Sequence, residues 1–429
     1  MESAHLSTRY FSKFQAFLMS KVRSPRQKIW EENCVVLSDP KFTRKYQLFD
    51  EIIGEGSFGT VITAECRTTH EKRAIKAIRR IEKVAMLTIE LDLLTELGGH
   101  FNIVQLHDFF YTNGSVALVL EYFPHCTASE LLMYSKRDLS FALLYFRNLL
   151  TAVAYLHHNG YVHRDIKLSN FLFSSKTNSF RLVDFGLATN DRSNIECPRN
   201  IAVAAMEKDK ECTACRRTSS PCMFCKGRPK RETYHVVGTP GVRAPELLFG
   251  LGLFNPSIDI FSCGIVLLSL VCAKHPFFMP KDETENIMDL AFLLGSETIE
   301  TMAKLEGMRV TISERLPPAD YYHLILCLRF GFDHVRLHCS SRQSCESCRR
   351  RSYNNLKGVC FCRKDYETEK FSTGKNESDL MTIYVDLIYH ALEPDRFKRY
   401  NADQLLQLIE SYENRVNFKP KPLTNRDEF

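Results

Sequence analysis

The stretch YVHRDIKLSNFLF sets His163, Arg164 and Asp165 ahead of Lys167 and Asn170, and fourteen residues past Asn170 the stretch RLVDFGLA brings Asp184. At this spacing a carboxylate at 165 can meet a hydroxyl while an amide oxygen five residues on, from Asn170, reaches a metal. Asp184 is a natural ligand for Mg2+ bridging β- and γ-phosphates, because a hard cation prefers oxygen donors. Further along, GTPGVRAPE supplies Thr239 and Glu246. Any one of these short runs arises by chance, but their order along one chain does not. The chemistry they fit is the transfer of a phosphoryl group from a nucleotide to a hydroxyl.

Such groups need a phosphate cradle and walls for a base. Residues 47–63, QLFDEIIGEGSFGTVIT, read as a strand, a Gly-rich turn and a second, β-branched strand, which is a hairpin pattern. Gly54, Gly56 and Gly59, with Ser57 between them, let the backbone approach phosphate oxygens where a Cβ would collide, and Val61 can cover an adenine. Alone, G-x-G-x-x-G also fits a plain glycine turn. A dinucleotide fold would need a helix directly after the last Gly, and here a strand continues. Ala74, Ile75 and Lys76 fall in a third strand, KRAIKAIRR, which places one ammonium against the α- and β-phosphates. VAMLTIELDLLTELGG reads as a helix ending at Gly98 and Gly99, with Glu90 the candidate partner of Lys76 and Glu96 its competitor. Val116 to Glu121 is an apolar strand running into Glu121, Tyr122 and Phe123, a connector whose backbone would hydrogen-bond an adenine. Leu120 flanks that pocket, and Leu172, two residues past Asn170, is a further nucleotide contact.

At 429 residues, 44% hydrophobic and 25% charged, the chain has the composition of a folded globular protein. That sets aside disorder, collagen-like repetition and coiled coil, and the length suits one two-lobed domain with insertions. A formal charge of +6 is too small over this length to signal nucleic acid by itself. The longest apolar stretch, Ile258 to Ala273, contains Asp259 and falls short of the roughly 20 residues of a bilayer span, so it reads as a buried core helix and no membrane association is expected. No signal-peptide pattern opens the sequence, so the chain is expected inside the cell, where thiols can serve as metal ligands.

Ten of the sixteen cysteines fall in two windows, Cys197 to Cys225 and Cys339 to Cys362, both rich in Arg, Lys and Ser, which marks them as insertions. Cys212, Cys215, Cys222 and Cys225 form two C-x2-C pairs, whose four thiolates would close a tetrahedral shell around structural zinc. The loop of six residues between the pairs is shorter than in most zinc ribbons, and unliganded surface thiols are the alternative. The second window, with Cys345, Cys348, Cys360 and Cys362, is less regular. Neither interleaves aromatics with its basic residues, so direct nucleic-acid binding is not expected.

From about residue 46 to residue 410 the set resembles the eukaryotic protein kinase family. The resemblance implies an α+β bilobal fold, with a β-rich N-lobe over residues 46–122 and an α-helical C-lobe over 123–410. The two Cys-bearing insertions then lie at about 190–232 and 333–378, a basic, loosely patterned extension precedes at 1–45, and a tail follows at 411–429. ATP and Mg2+ are the implied cofactors. Lys167, two positions after Asp165, and Thr239 in GTPG are similar to the serine/threonine branch, where the Lys holds the γ-phosphate and the Thr hydroxyl bonds the catalytic Asp. The family further implies Asp259 in DIFSCG as a buried anchor and Arg399 as the ion-pair partner of Glu246. EPDRFKR is about two residues longer than usual, which leaves Arg396 as competitor, and Val242 stands where most relatives carry an aromatic residue.

Three details resemble one subfamily in particular, the replication-initiation kinase of the cell-division-cycle group, the catalytic half of a kinase that works with a separate activating subunit. They are VHRDIKLSNFLF with LVDFGLA, the C-x2-C pairs just upstream of GTPGVRAPELL, and LGSETIETMAKLEG before the second insertion. That likeness implies a nuclear kinase, nearly inactive without its activating subunit and directed at Ser or Thr in acidic tails of the replicative helicase. Arg243 and the KGRPKR stretch are the candidate positive charges for such a substrate, and KGRPKR reads equally as a solvated loop or a nuclear-import patch. The alternatives are a generic cell-cycle or casein-type kinase and a kinase-like scaffold without turnover. Intact Lys76, Asp165 and Asp184 favour the active enzyme.

Overall fold

A computed structural model of the chain describes residues 34–56, 59–78, 84–190, 238–249, 255–305, 309–331 and 375–416. The chain divides into two compact units, residues 1–124 and 125–429. The first is β-rich and the second mainly helical, the α+β fold class expected.

Five antiparallel strands build the first unit: β1 (Tyr46–Gly56), β2 (Gly59–Cys66), β3 (Lys72–Ile78), β4 (Leu106–Thr112) and β5 (Ser115–Glu121), in the order β1-β2-β3-β5-β4. Two helices accompany them, α1 (Pro40–Lys45) and α2 (Val84–Leu97). Side chains alternate across a strand, so cross-strand register sorts the sheet into two faces. Val61 lies opposite Lys76, Lys76 opposite Leu118, and Ala74 opposite Leu120, which puts all five on one face. The other face carries Ile62, Ala64, Ile75, Ala77, Ala117 and Val119, all buried.

That second face is covered by the chain just before β1. A 3-10 turn at Val35–Ser38 and α1 bring Cys34, Val36, Leu37 and Phe42 into the same cluster. Asp39 caps α1 by accepting from the Lys41 N–H at 2.7 Å, and the Thr112 hydroxyl, donating to the same carboxylate at 2.5 Å, ties the cap to β4. Phe42 meets Phe110 edge to face at 5.3 Å. Residues 34–45 are therefore anchored to the sheet through four buried side chains, while the rest of the segment faces outward. Their four apolar side chains are too few and too closely spaced to show a period among the basic residues around them.

In the second unit α3 (Ala128–Arg137), α4 (Ser140–His158), α5 (Pro245–Phe249), α6 (Ser257–Val271), α7 (Glu283–Leu294), α8 (Ser296–Leu305), α9 (Tyr321–Phe330), α10 (Lys375–Ala391) and α11 (Ala402–Val416) accompany short strands. These are β6 (Tyr161–Val162) paired with β9 (Thr189–Asn190), and β7 (Phe171–Ser174) paired with β8 (Ser179–Leu182). Every residue of α6 is buried, so the apolar stretch of the sequence is the central core helix. Among the described residues no helix is long and apolar enough to cross a membrane. The Phe171, Phe173 and Phe180 rings pack together under α4, and the Tyr145 hydroxyl donates to the Phe171 carbonyl, so the strand that follows Asn170 is fixed to the core.

Candidate active site

In the first unit Lys76 projects from β3, and α2 presents Glu90 to it with Nζ and Oε1 2.6 Å apart. The side chains are 7% and 4% exposed, so each charge depends on the other for its neutralisation. Ala74 and Leu120 are buried on the same sheet face, and Val61 is half-buried beside them. Glu121 commits its N–H to the Gln105 carbonyl at 2.9 Å, which fixes the start of the connector, and Phe123, two residues on, is half-buried. Gly54 and Gly59 differ in what they permit. A Cβ on Gly59 would stand 2.3 Å from the Ala77 carbonyl oxygen, so β2 approaches β3 there only as glycine. A Cβ on Gly54 would touch the Val61 side chain at an ordinary 3.6 Å. Gly56 closes β1, while Ser57 lies outside the described residues.

In the second unit four donors converge on Asp165, which is 6% exposed. Its Oδ1 accepts from the Thr239 N–H at 2.9 Å and the Thr239 hydroxyl at 2.6 Å. Its Oδ2 accepts from Lys167 Nζ at 2.7 Å and Asn170 Nδ2 at 3.2 Å. Lys167 also donates to Thr239 Oγ1 at 2.8 Å, closing a ring of three side chains. The backbone beneath is held as firmly. His163 Nδ1 accepts from the Asp165 N–H at 3.2 Å, which leaves the ring proton on Nε2, facing the Val183 carbonyl at 3.2 Å.

Asn170 and Asp184 supply hard oxygen donors, and their setting fits Mg2+. The amide nitrogen of Asn170 is engaged by Asp165, through the carbonyl at 3.0 Å and the carboxylate, which turns the amide oxygen the other way. The Val183 N–H donates to the Asn170 carbonyl at 2.9 Å, so Asp184 follows directly beside Asn170. Asp184 itself has φ +64°, a left-handed conformation that a non-glycine residue adopts at a cost of about 1–3 kcal/mol, and such strain clusters at functional sites. Among the described residues no group of three or more His, Cys, Asp or Glu is disposed to hold a metal. Mg2+ at a nucleotide site needs no such cage, since one or two protein donors with phosphates and water suffice. Leu172, in β7, is half-buried two residues on.

The supports lie deeper. Asp259, at the start of α6, accepts from the backbone N–H groups of His163 and Arg164, each at 2.8 Å, and from His157 Nε2 at 2.9 Å. Complete burial pushes the Asp259 carboxyl up, yet the hydrogen bond and charge of His157, with the bond from the His163 backbone N–H, hold it below its ordinary value. Arg164, φ +68°, turns its Nε onto the Leu187 carbonyl. Glu246 and Arg399 form a buried two-pronged pair at 2.6 and 3.0 Å, and Arg399 also donates to the carbonyls of Ser257, Glu393 and Pro394. Arg396 lies instead over the Phe397 ring.

His157 was not among the sequence candidates. Its only signal is a histidine one helical turn before the β6 strand that leads into His163, and its partner is 102 residues away. Arg243, the expected positive charge for an acidic substrate, donates through Nε and Nη2 to the Gly238 carbonyl on the loop that carries Thr239. Cys212, Cys215, Cys222 and Cys225, the KGRPKR stretch and the second cysteine window lie outside the described residues.

The protein kinase domain model matches residues 48–210 and 222–408. Two probable cell division control protein 7 homologs of Encephalitozoon cuniculi, homolog 1 and homolog 2, are each 32% identical over 259 residues, which is 60% of this chain and 73% of the relative. The cell cycle serine/threonine-protein kinase hsk1 of Schizosaccharomyces pombe is 28% identical over 362 residues, 76% of this chain and 70% of that protein. With a lysine and glutamate paired at 2.6 Å and a loop carboxylate held by four donors, the chain belongs to the protein kinase family, in the group of cell division control protein 7, and is an ATP- and Mg2+-dependent serine/threonine kinase.

Proposed function

We propose that this kinase phosphorylates Ser or Thr in acidic segments of replicative helicase subunits, in the nucleus, together with a separate activating subunit, and so promotes initiation of DNA replication. The observation that carries the chemistry is the convergence of Thr239, Lys167 and Asn170 on Asp165. The Lys167 side chain is 26% exposed, so it can turn from Asp165 to a γ-phosphate. Oδ2 is then released to take the hydroxyl proton as the substrate oxygen bonds to the γ-phosphorus, the bond to the β-phosphate oxygen breaks and ADP leaves. Lys76, kept charged and placed by Glu90, holds the α- and β-phosphates. Asn170 and Asp184 would hold Mg2+, which when bound neutralises charge on the phosphate oxygens. Catalysis on this reading is positioning and electrostatics.

The replication assignment is supported by the likeness to the cell division control protein 7 homologs and by the cell-cycle role in the printed name of the fission yeast relative. Arg243 and the KGRPKR stretch, residues 226–231, are the candidate charges for acidic-substrate recognition, and KGRPKR serves equally as a nuclear-import patch. The spacing of Cys212, Cys215, Cys222 and Cys225 supports structural zinc that stiffens the long activation segment.

The test is phosphate transfer from Mg-ATP to an acidic Ser-containing helicase-tail peptide, by the chain alone and copurified with its candidate activating subunit, with Asp184→Asn as control. Turnover that requires the subunit and vanishes in the control is expected, with a charge-neutral peptide the poorer substrate. Equal turnover of both peptides removes the acidic preference, and full activity of the isolated chain removes the obligate subunit. Metal analysis that finds no zinc, with the four thiols freely titratable, removes the metal.

A further inference from the structure

Helix α7 opens on KDETEN, in which Thr284 is preceded by Asp282 and Glu283 and followed by Glu285. Residues 281–285 are all exposed, and Asn286, 1% exposed, is the first side chain that the helix buries. Only a surface cap holds that first turn. Asp282 Oδ1 accepts from the Glu285 N–H and Glu285 Oε2 accepts from the Lys281 N–H, each at 2.8 Å. Such a cap is worth about 0.5–2 kcal/mol, so the segment around Thr284 can open into an extended strand while the buried face of α7 stays packed. An opened segment of this kind offers a hydroxyl with carboxylates on both sides, the chemistry of an acidic phosphoacceptor.

The chain that leads into α7 lies against the loop carrying Thr239. A Cβ on Gly241, φ +84°, would stand 2.7 Å from the Phe278 carbonyl oxygen and 3.3 Å from Pro280 Cδ. Glu283 acts on the same loop through its charge: burial lowers the pKa of Arg243, while Glu283 and then Asp165 favour the guanidinium. Arg243 is one of the candidate charges for an acidic substrate, so a further negative charge beside Glu283 competes with the peptide for it. A phosphate on Thr284 brings about −1.5 to −2 at neutral pH, and the first turn of a helix accommodates that charge.

We propose that Thr284 is a phosphoacceptor for a second copy of this kinase, and that phosphate there weakens the binding of acidic substrates. In the transfer, Thr284 Oγ1 of one copy bonds to the γ-phosphorus of ATP held by the other. The bond from that phosphorus to the bridging oxygen breaks, ADP leaves, and the hydroxyl proton passes to Asp165 of the copy that holds the nucleotide. The buried face of α7, with Asn286, Leu290, Ala291, Leu293 and Leu294, pins Thr284 to the body of its own chain, which makes the transfer one between copies. The proposal rests on the reading of this kinase as directed at acidic segments.

The acceptor for the experiment is the full Asp184→Asn chain, labelled with 15N and incubated in Mg-ATP with unlabelled wild-type chain and its activating subunit. Mass spectrometry of the labelled peptides should place phosphate on Thr284. Asp282→Asn, Glu283→Gln and Glu285→Gln together neutralise the flanks and keep capping side chains, and should slow that filling several-fold. Enzyme phosphorylated on Thr284 should show a KM for an acidic Ser peptide raised about 3- to 10-fold, with kcat and the KM of the charge-neutral analogue unchanged. Thr284→Ala enzyme should hold the lower KM however long it stands in Mg-ATP. Phosphate on other residues with none on Thr284 overturns the proposal, and so does a filled Thr284 that leaves the KM for the acidic peptide where it was. Equal turnover of the two peptides by the Thr284→Ala enzyme sinks instead the reading of an acid-directed kinase, a result that the acceptor assay does not enter.

Discussion

Asp259 is the residue on which the loop around Asp165 is hung, since its two oxygens take the His163 and Arg164 amides and the His157 ring together. An Asn there offers one oxygen and an NH2 that faces donors. Asp259→Asn should therefore cost about 2–4 kcal/mol of stability near neutral pH, read by denaturant unfolding. The sign with pH follows from the depressed folded pKa. Asp259 contributes stability that is in place above its ordinary 3.8 and is lost as pH falls through the still lower folded value. The gap between wild type and variant should narrow on acidification, and a constant gap down to about pH 3 would contradict this. The chemistry-bearing residues are legible in the sequence because each sits in a short run whose spacing the local backbone fixes. His157 is not, because its contact spans 102 residues and depends on α4 and α6 packing. The choice of Arg399 over Arg396 is not either. It turns on Asp395, whose carbonyl accepts from the Lys398 and Arg399 N–H groups at 2.9 Å and winds the longer segment until Arg399, not Arg396, meets Glu246.

The hairpin of β1 and β2 shows how one motif divides into two physical roles. Gly59 is demanded by the sheet itself, whereas Gly54 leaves ordinary room for a methyl group. Gly59→Ala should force β2 from β3 and destabilise the first unit by about 1–3 kcal/mol or more. Gly54→Ala should keep the wild-type melting temperature while weakening Mg-ATP binding, because its Cβ obstructs only the approach of phosphate. Thermal unfolding with and without Mg-ATP separates the two, and unimpaired nucleotide stabilisation in Gly54→Ala would remove Gly54 from the cradle. The strand and helix pattern is legible here because β5 and α6 are long apolar runs. What the sequence hides is which face a strand turns to the nucleotide, since β5 is apolar on both sides and buried from Ser115 to Leu120. Only the register, Lys76 against Leu118 and Ala74 against Leu120, separates them.

Across the whole molecule, the candidate residues divide between two compact units, Lys76 and Glu90 in the first and Asp165, Lys167, Asn170, Asp184 and Thr239 in the second. The two-unit division and the kinase assignment are legible because the motifs on each side are unmistakable in order. The segment before β1 is not, because four buried side chains among basic neighbours carry no period. That segment bears on where the protein can be cut. Similarity to the family begins at residue 48, and a truncation made there discards Cys34, Val36, Leu37, Phe42 and Tyr46. It strips the rear of the sheet down to Ile62, Ala64, Ile75, Ala77, Ala117 and Val119, an oily patch open to water. A protein begun at residue 48 should bind hydrophobic dye and elute as aggregate on gel filtration, and one begun at residue 34 should elute as the full-length chain does; identical behaviour of the two would show the lid to be dispensable. The boundary of the enzyme as a durable object thus lies about a dozen residues before the boundary that kinship alone would draw.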